Sequence, residues 1–230
     1  MPPIQVAAAG DAALLVSVPQ VIDARLNAWC VAYAEAIAER YGAAVRDAVV
    51  GYASVTVYFD PLLVSPEWME RELHELAADL PGVPLRSGTV VDVPVLYGGE
   101  MGPDVEEVAR FGGCDVQDVI ARHSAITYRV YLVGFVPGFA YLGTVDPRIA
   151  APRRASPRLA VPVGSVAIAG GQTGIYPDAT PGGWNIIGRT PLLPFDPARE
   201  SPSLLKPGDQ VRFRSITEAE FAAFAAEGAR

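Results

Sequence analysis

His74 and His123 are the chain's only two histidines, which rules out a multi-histidine metal centre. His74 falls among acids on a helical pattern and reads as a surface residue. His123 closes a helical pattern just before a strand, which makes it a candidate general base or substrate ligand. A histidine placed to cap a helix C-terminus is the alternative. Arg148, Arg153, Arg154, Arg158 and Arg189 gather in one stretch of a chain whose net charge is −8. Such a cluster suits a small anionic substrate or an acidic partner surface, although each arginine alone also reads as a solvated side chain. Gly164, Gly170, Gly171 and Gly174 would let backbone approach a ligand, and Gln172 offers both a donor and an acceptor to a lactam or carboxylate. Tight turns or bulges account for the same glycines. Trp184 reads as a pocket wall or as core, and Arg189 at a strand end could hold a carboxylate bidentately. The candidate substrate contacts are therefore Arg153, Arg158, Gln172, Tyr176, Trp184 and Arg189, with backbone from Gly170, Gly171 and Gly174. Asp146, Asp178 and Asp196 each sit in a turn context, and no paired-acid pattern stands out.

Other chemistries find no motif. The glycine-rich run 162–177 lacks GxxxxGK[ST], and Ser165 is not in a GxSxG elbow. Cys30 and Cys114 are far apart with no CxxC spacing, so neither structural zinc nor a disulfide framework is expected. The acidic balance argues against nucleic acid; two short helices around Gly112-Gly113 resemble a helix-turn-helix only in outline, because they carry Glu106, Glu107, Asp115 and Asp118. No uncharged apolar run reaches about 18 residues, and the first residues have no basic leader pattern, so a cytoplasmic location is the expectation.

The elements that would position these residues follow from periodicity. An apolar run over 12–18 reads as a strand, and Ile22, Leu26, Trp29, Tyr33, Ile37 and Tyr41 mark an amphipathic helix that Gly42 ends. Strands are expected at 45–50 and 55–59. A helix begins at Ser65-Pro66-Glu67, carries Met69, Leu73, Leu76 and Leu80 on one face, and stops at Pro81-Gly82. After a linker over 84–88, a strand is expected at 89–96. Two helices follow, opened by an Asp104-x-x-Glu107 capping box and by Asp115, and then a strand at 128–133. Eighteen of the 58 residues 134–191 are Gly or Pro, a density associated with disorder, but Phe135, Phe139, Tyr141, Ile168 and Trp184 supply a core. Short strands joined by tight turns are the better reading. After the apolar run 192–195 and a polar loop, a hairpin turn at Pro207-Gly208-Asp209 leading into strand 211–213 and a helix at 217–227 complete the chain. The expected fold is an α+β N-terminal domain (β-α-β-β-α on an antiparallel sheet, residues 1–86) followed by a mainly β barrel (87–230).

Four runs carry a family resemblance: Gly134–Gly143 (GFVPGFAYLG), Pro152-Arg153 with Pro157-Arg158, residues 162–177 (PVGSVAIAGGQTGIYP) and residues 181–191 (PGGWNIIGRTP). Together with YGGEMGPD at 97–104 and His123-Ser124, they resemble the 5-oxoprolinase B-subunit family, also labelled allophanate hydrolase subunit 1. That family includes an inhibitor of a sporulation histidine kinase. Val163, Thr180 and the LLPFD run depart from the family pattern without removing a polar group. The resemblance implies a cyclophilin-like barrel and a partnership with the homologous 5-oxoprolinase C-subunit and with the A-subunit in an ATP-dependent 5-oxoprolinase. It implies that no cofactor is bound by this chain, that ATP is handled elsewhere in the complex, and that the small-molecule site is shared. Inhibition of a sensor kinase and a part in urea or allophanate breakdown are the alternatives.

Overall fold

The computed structural model describes residues 2–80 and 88–228, and the chain divides into two compact units, Met1–Ser87 and Gly88–Arg230. The helix stop at Pro81-Gly82 and all of the expected linker except Gly88 lie outside the described residues.

The first unit holds β1 (Gln5–Ala8), β2 (Ala13–Ser17), α1 (Ala24–Tyr41), β3 (Val45–Val50), β4 (Ser54–Phe59) and α2 (Pro66–Asp79). The strands form one antiparallel sheet in the order β1-β2-β4-β3. Alternation sends Leu14 and Val16 of β2, and Val55, Val57 and Phe59 of β4, to one face. There they meet Trp29, Tyr33 and Ile37 of α1 and Met69, Leu73 and Leu76 of α2. Each helix start is capped, and Ile22, expected on the stripe of α1, lies before the cap and is exposed. The Asp23 carboxylate accepts from Arg25 N and Leu26 N, and Ser65 Oγ accepts from Trp68 N with Pro66 in the first turn. The expected α+β class holds, with one strand more than the sequence pattern offers. β1 is an edge strand whose Gln5, Ala7 and Ala8 are exposed, so it carries no apolar alternation to read.

The second unit contains β5 (Val90–Tyr97), α3 (Val105–Gly112), α4 (Val116–Ser124), β6 (Thr127–Val133) and β7 (Ala140–Gly143). It continues with β8 (Arg158–Val161), β9 (Ser165–Ala169), β10 (Gln172–Ile175), β11 (Thr180–Gly182), β12 (Asn185–Arg189), β13 (Gln210–Ser215) and α5 (Glu218–Gly228). Seven of these strands close a barrel in the order β10-β7-β6-β13-β5-β12-β9, while β8 and β11 pair as a separate ribbon. All five residues of β9 are buried because two cores share them. Val166 and Ile168 join the barrel interior with Val93, Val130, Leu142 and Phe213, whereas Ala167 and Ala169 face outward into a second cluster. Val161 of the ribbon belongs to that outer cluster, so the ribbon covers this part of the wall.

The expected hairpin at Pro207-Gly208-Asp209 is corrected. The turn exists, tied by Asp209, whose carboxylate accepts from Thr89 N and Lys206 N at 3.1 Å each. It joins no strand immediately before it to β13, because residues 192–209 hold no strand. β13 lies parallel to β5 and antiparallel to β6. Turn chemistry fixes a change of direction, and barrel closure chooses the partner.

Candidate functional site

The site is organised by a residue whose spacing in the sequence reads as a helix cap. Asp104 does stand before α3, but its side chain makes no cap bond. Its carboxylate is 4% exposed and is fully engaged elsewhere. Arg158 Nη1 and Nη2 donate to its two oxygens at 2.7 and 2.9 Å, Arg154 Nη1 donates to Oδ1, and Ile186 N donates to Oδ2 at 2.8 Å. Asp104 N in turn donates to Ile186 O at 2.9 Å. Glycine makes this docking possible: a Cβ on Gly102 would lie 2.1 Å from Ile187 O, so only a residue without one lets the 98–104 loop press against β12. Two guanidinium groups thus share one buried carboxylate in fork geometry, which orients them and leaves a local surplus of positive charge.

Strand register assigns the other candidates to faces. Gln172 pairs with Ala169 and Gly174 with Ala167 on β9, while Gly174 pairs with Tyr141 on β7. On β12, Ile186 pairs with Ala167 and Arg189 with Ser165. Cross-strand partners share a face, so Gln172, Gly174, Tyr141, Ile186 and Arg189 all belong to the outer wall. Phe139, Tyr176 and Trp184 pack there too: Tyr176 and Trp184 meet Phe139 edge-on with ring centroids 5.0 and 5.6 Å away. At 2% and 5% exposure, Tyr176 and Trp184 are buried supports of this wall: Trp184 takes the core alternative of its two readings, and Tyr176 is not the exposed substrate contact expected. Gly174 makes its close approach to these rings, since a Cβ there would come within 3.2 Å of Trp184 and 3.3 Å of Phe139. Gly170, with φ +56°, turns β9 into β10, and Gly171 beside it is exposed. Arg189 and Gln172 flank β9 from opposite sides at positions four residues apart, roughly 13 Å along the strand at about 3.3 Å per residue and two strand spacings across it. They cannot grip neighbouring atoms of one small ring.

Arg153 links the wall to an open cleft. Burial raises the Tyr141 pKa, and burial likewise raises that of Tyr176, the backbone at Trp184 opposing it there; the Arg153 charge pulls both phenols down. Arg153 is itself exposed. With Arg154, Ser156, Asn185, Glu107 and Phe111 it lines a cleft of about 430 Å³. Asn185 is 3% exposed and donates to Pro152 O and Ile168 O, which fixes its carboxamide. A cleft lined by guanidinium, hydroxyl and carboxamide groups can hold a carboxylate and an amide carbonyl. Sequence reasoning missed Asp104, Asn185 and Tyr141 as members of this constellation. All three lie in runs that carry the resemblance, Asp104 in YGGEMGPD, Tyr141 in GFVPGFAYLG and Asn185 in PGGWNIIGRTP, but residue type alone singled out none of them.

His123 lies apart from the rest. It is wholly buried inside the barrel, where its ring packs on Phe213 and Tyr128 at centroid distances of 4.5 and 5.3 Å. Nδ1 meets Tyr97 Oη at 2.8 Å and Nε2 meets Thr173 Oγ1 at 2.9 Å. Desolvation pushes its pKa down to about 3, so the ring is neutral at physiological pH. Thr173, its partner, points inward, whereas Gln172 and Gly174 on either side of it point outward. A proton-carrying role beside the other candidates is therefore corrected: alternation along β10 puts His123 behind the wall. Neither a helix cap nor a general base describes it.

The comparisons with known proteins agree with this architecture. Residues 4–205 match the family model "Carboxyltransferase domain, subdomain C and D". The 5-oxoprolinase B-subunit of Bacillus subtilis is 40% identical over 233 aligned residues that cover 97% of each chain. The solved structure of TTHA0988 superposes with a TM-score of 0.79 at 38% identity, covering 89% of this chain and 40% of that longer one. Kluyveromyces lactis urea carboxylase superposes with a TM-score of 0.80 at 20% identity, covering 98% of this chain and 23% of that one, a likeness of fold. This chain belongs to the 5-oxoprolinase B-subunit family, within the carboxyltransferase-domain proteins of subdomains C and D.

Proposed function

We propose that this chain is the non-nucleotide-binding barrel component of a heteromeric, ATP-dependent 5-oxoprolinase that opens 5-oxoproline to glutamate. The observation that carries this reading is the end-to-end match to the 5-oxoprolinase B-subunit. The geometry fits it: Asp104 holds Arg154 and Arg158 in place next to a cleft on which Arg153 opens. In this reading the arginines bind the substrate carboxylate, and Asn185, Ser156 and Gln172 supply polar contacts to the lactam. Hydrolysis adds one water across the amide bond and needs the developing oxyanion to be held. The proton-transferring group and the ATP site come from the A-subunit and C-subunit partners, so the active site is shared. The chain acts in the cytoplasm in this reading.

The test is ATP-dependent glutamate release in a three-component reconstitution with and without this chain. Loss of turnover on its omission, and on Arg158→Ala, supports the proposal; full turnover without the chain refutes it. A second reading, a component of urea or allophanate breakdown, is favoured by the fold likeness to urea carboxylase. It predicts that the same assembly turns over urea and not 5-oxoproline.

A further inference from the structure

The barrel interior contains a hydrogen-bond chain whose direction can be assigned. Thr173 Oγ1 donates its one proton to Ala167 O at 3.0 Å, so toward His123 it can only accept. His123 therefore carries its proton on Nε2 and donates it to Thr173. Nδ1 is then the bare nitrogen, and Tyr97 donates its hydroxyl proton to it. A second tyrosine, Tyr128, donates to the His123 carbonyl at 3.0 Å. Every polar atom of the imidazole is used, and the chain runs Tyr97 on β5, His123 on α4, Thr173 on β10, Ala167 on β9.

The far end of this chain is the back of the candidate site. Thr173 stands between Gln172 and Gly174, and Ala167 is the residue that Gly174 pairs with. At Gly174 the β10 backbone packs closely on its neighbours: a Cβ there would come within 3.0 Å of Ala140 O and within 3.2 and 3.3 Å of the Trp184 and Phe139 rings. A displacement of β10 carries Gln172 with it and changes the packing of its backbone against those rings.

We propose that His123 is a positioning residue, which through its Nε2–H bond to Thr173 sets the placement of β10 and hence of Trp184 and Gln172 on the opposite face of the wall. The consequence for turnover rests on the oxoprolinase reading, but the placement does not.

The protein has three tryptophans, so 5-fluorotryptophan labelling of the full chain gives three ¹⁹F resonances, with that of Trp184 assigned by its loss in Trp184→Phe. Thr173→Val should shift the Trp184 resonance and leave those of Trp29 and Trp68 in place, and Thr173→Ser should restore it. Tyr97→Phe, at the other nitrogen, should move the same resonance and serves as the second variant if Thr173→Val does not fold. In the reconstituted complex Thr173→Val should lower kcat/KM about tenfold or more, with Thr173→Ser recovering to within about twofold of wild type. A purely structural role lowers the melting temperature without moving Trp184. An unmoved Trp184 resonance in folded Thr173→Val or Tyr97→Phe, or a His123 ¹⁵N pattern with the proton on Nδ1, overturns the proposal. If the wild-type complex shows no 5-oxoproline turnover, the functional reading fails while the ¹⁹F result still decides the placement.

Discussion

At the residue scale, Asp104 and His123 show two ways of burying a polar group. The Asp104 carboxylate is buried and accepts hydrogen bonds from two guanidinium groups and a backbone N–H. Breaking a buried pair from one side leaves uncompensated charge and costs about 3–5 kcal/mol. Both arginines are partly solvated, with side chains 32% and 25% exposed, so Asp104→Asn should destabilise the protein by about 2–3 kcal/mol in urea unfolding. His123 stays neutral because burial lowers its pKa to about 3 from 6.5. Between those values the unfolded chain binds the extra proton, so this contribution is complete above about pH 6.5 and is lost as pH falls toward 3. His123→Gln should therefore flatten the fall in stability between pH 6.5 and 4.5, by up to about 1.4 kcal/mol per pH unit. A variant slope equal to wild type would count against a buried neutral histidine. Neither environment was legible in the chain. Asp104-x-x-Glu107 has the spacing of a capping box, and only the docking of the 98–104 loop on β12 gives the aspartate stronger partners than the helix N-terminus offers.

At the element scale, strand alternation did most of the positioning. β9 and β10 each present one set of residues to the barrel core and the other to the outer aromatic cluster. Gly174→Ala should cost about 1–3 kcal/mol of stability, since the added methyl has backbone and two rings in its way. Gly171→Ala is the control: its Cβ meets only Thr144 Cγ2 at 3.4 Å and should be nearly neutral. Equal effects at the two positions would contradict the packing described. Helix starts at Ser65 and Asp115 were legible because a cap is a local event within three residues. β1 and the parallel β5–β13 pair were not, because edge strands carry little pattern and strand partners are chosen across the whole barrel. The same limit separated the candidates: sequence placed Tyr176 and Trp184 beside the arginines, but the β8–β11 ribbon that covers them is a tertiary event.

At the scale of the whole molecule, an acidic chain of net charge −8 holds Arg154 and Arg158 with one buried carboxylate beside the cleft that Arg153 lines. Carboxylate recognition is thus the central claim, and Arg153 is the exposed arginine that lines the cleft. A charge-assisted hydrogen bond contributes about 1.5–3 kcal/mol, or roughly 10–100-fold in kcat/KM. The direct measurement is the ratio of kcat/KM for 5-oxoproline to that for its carboxamide, in the reconstituted complex, for wild type and Arg153→Ala. Wild type should prefer the carboxylate, and Arg153→Ala should lower that preference about tenfold or more by losing rate on 5-oxoproline alone. A ratio that Arg153→Ala leaves unchanged would contradict a carboxylate site on this face of the barrel.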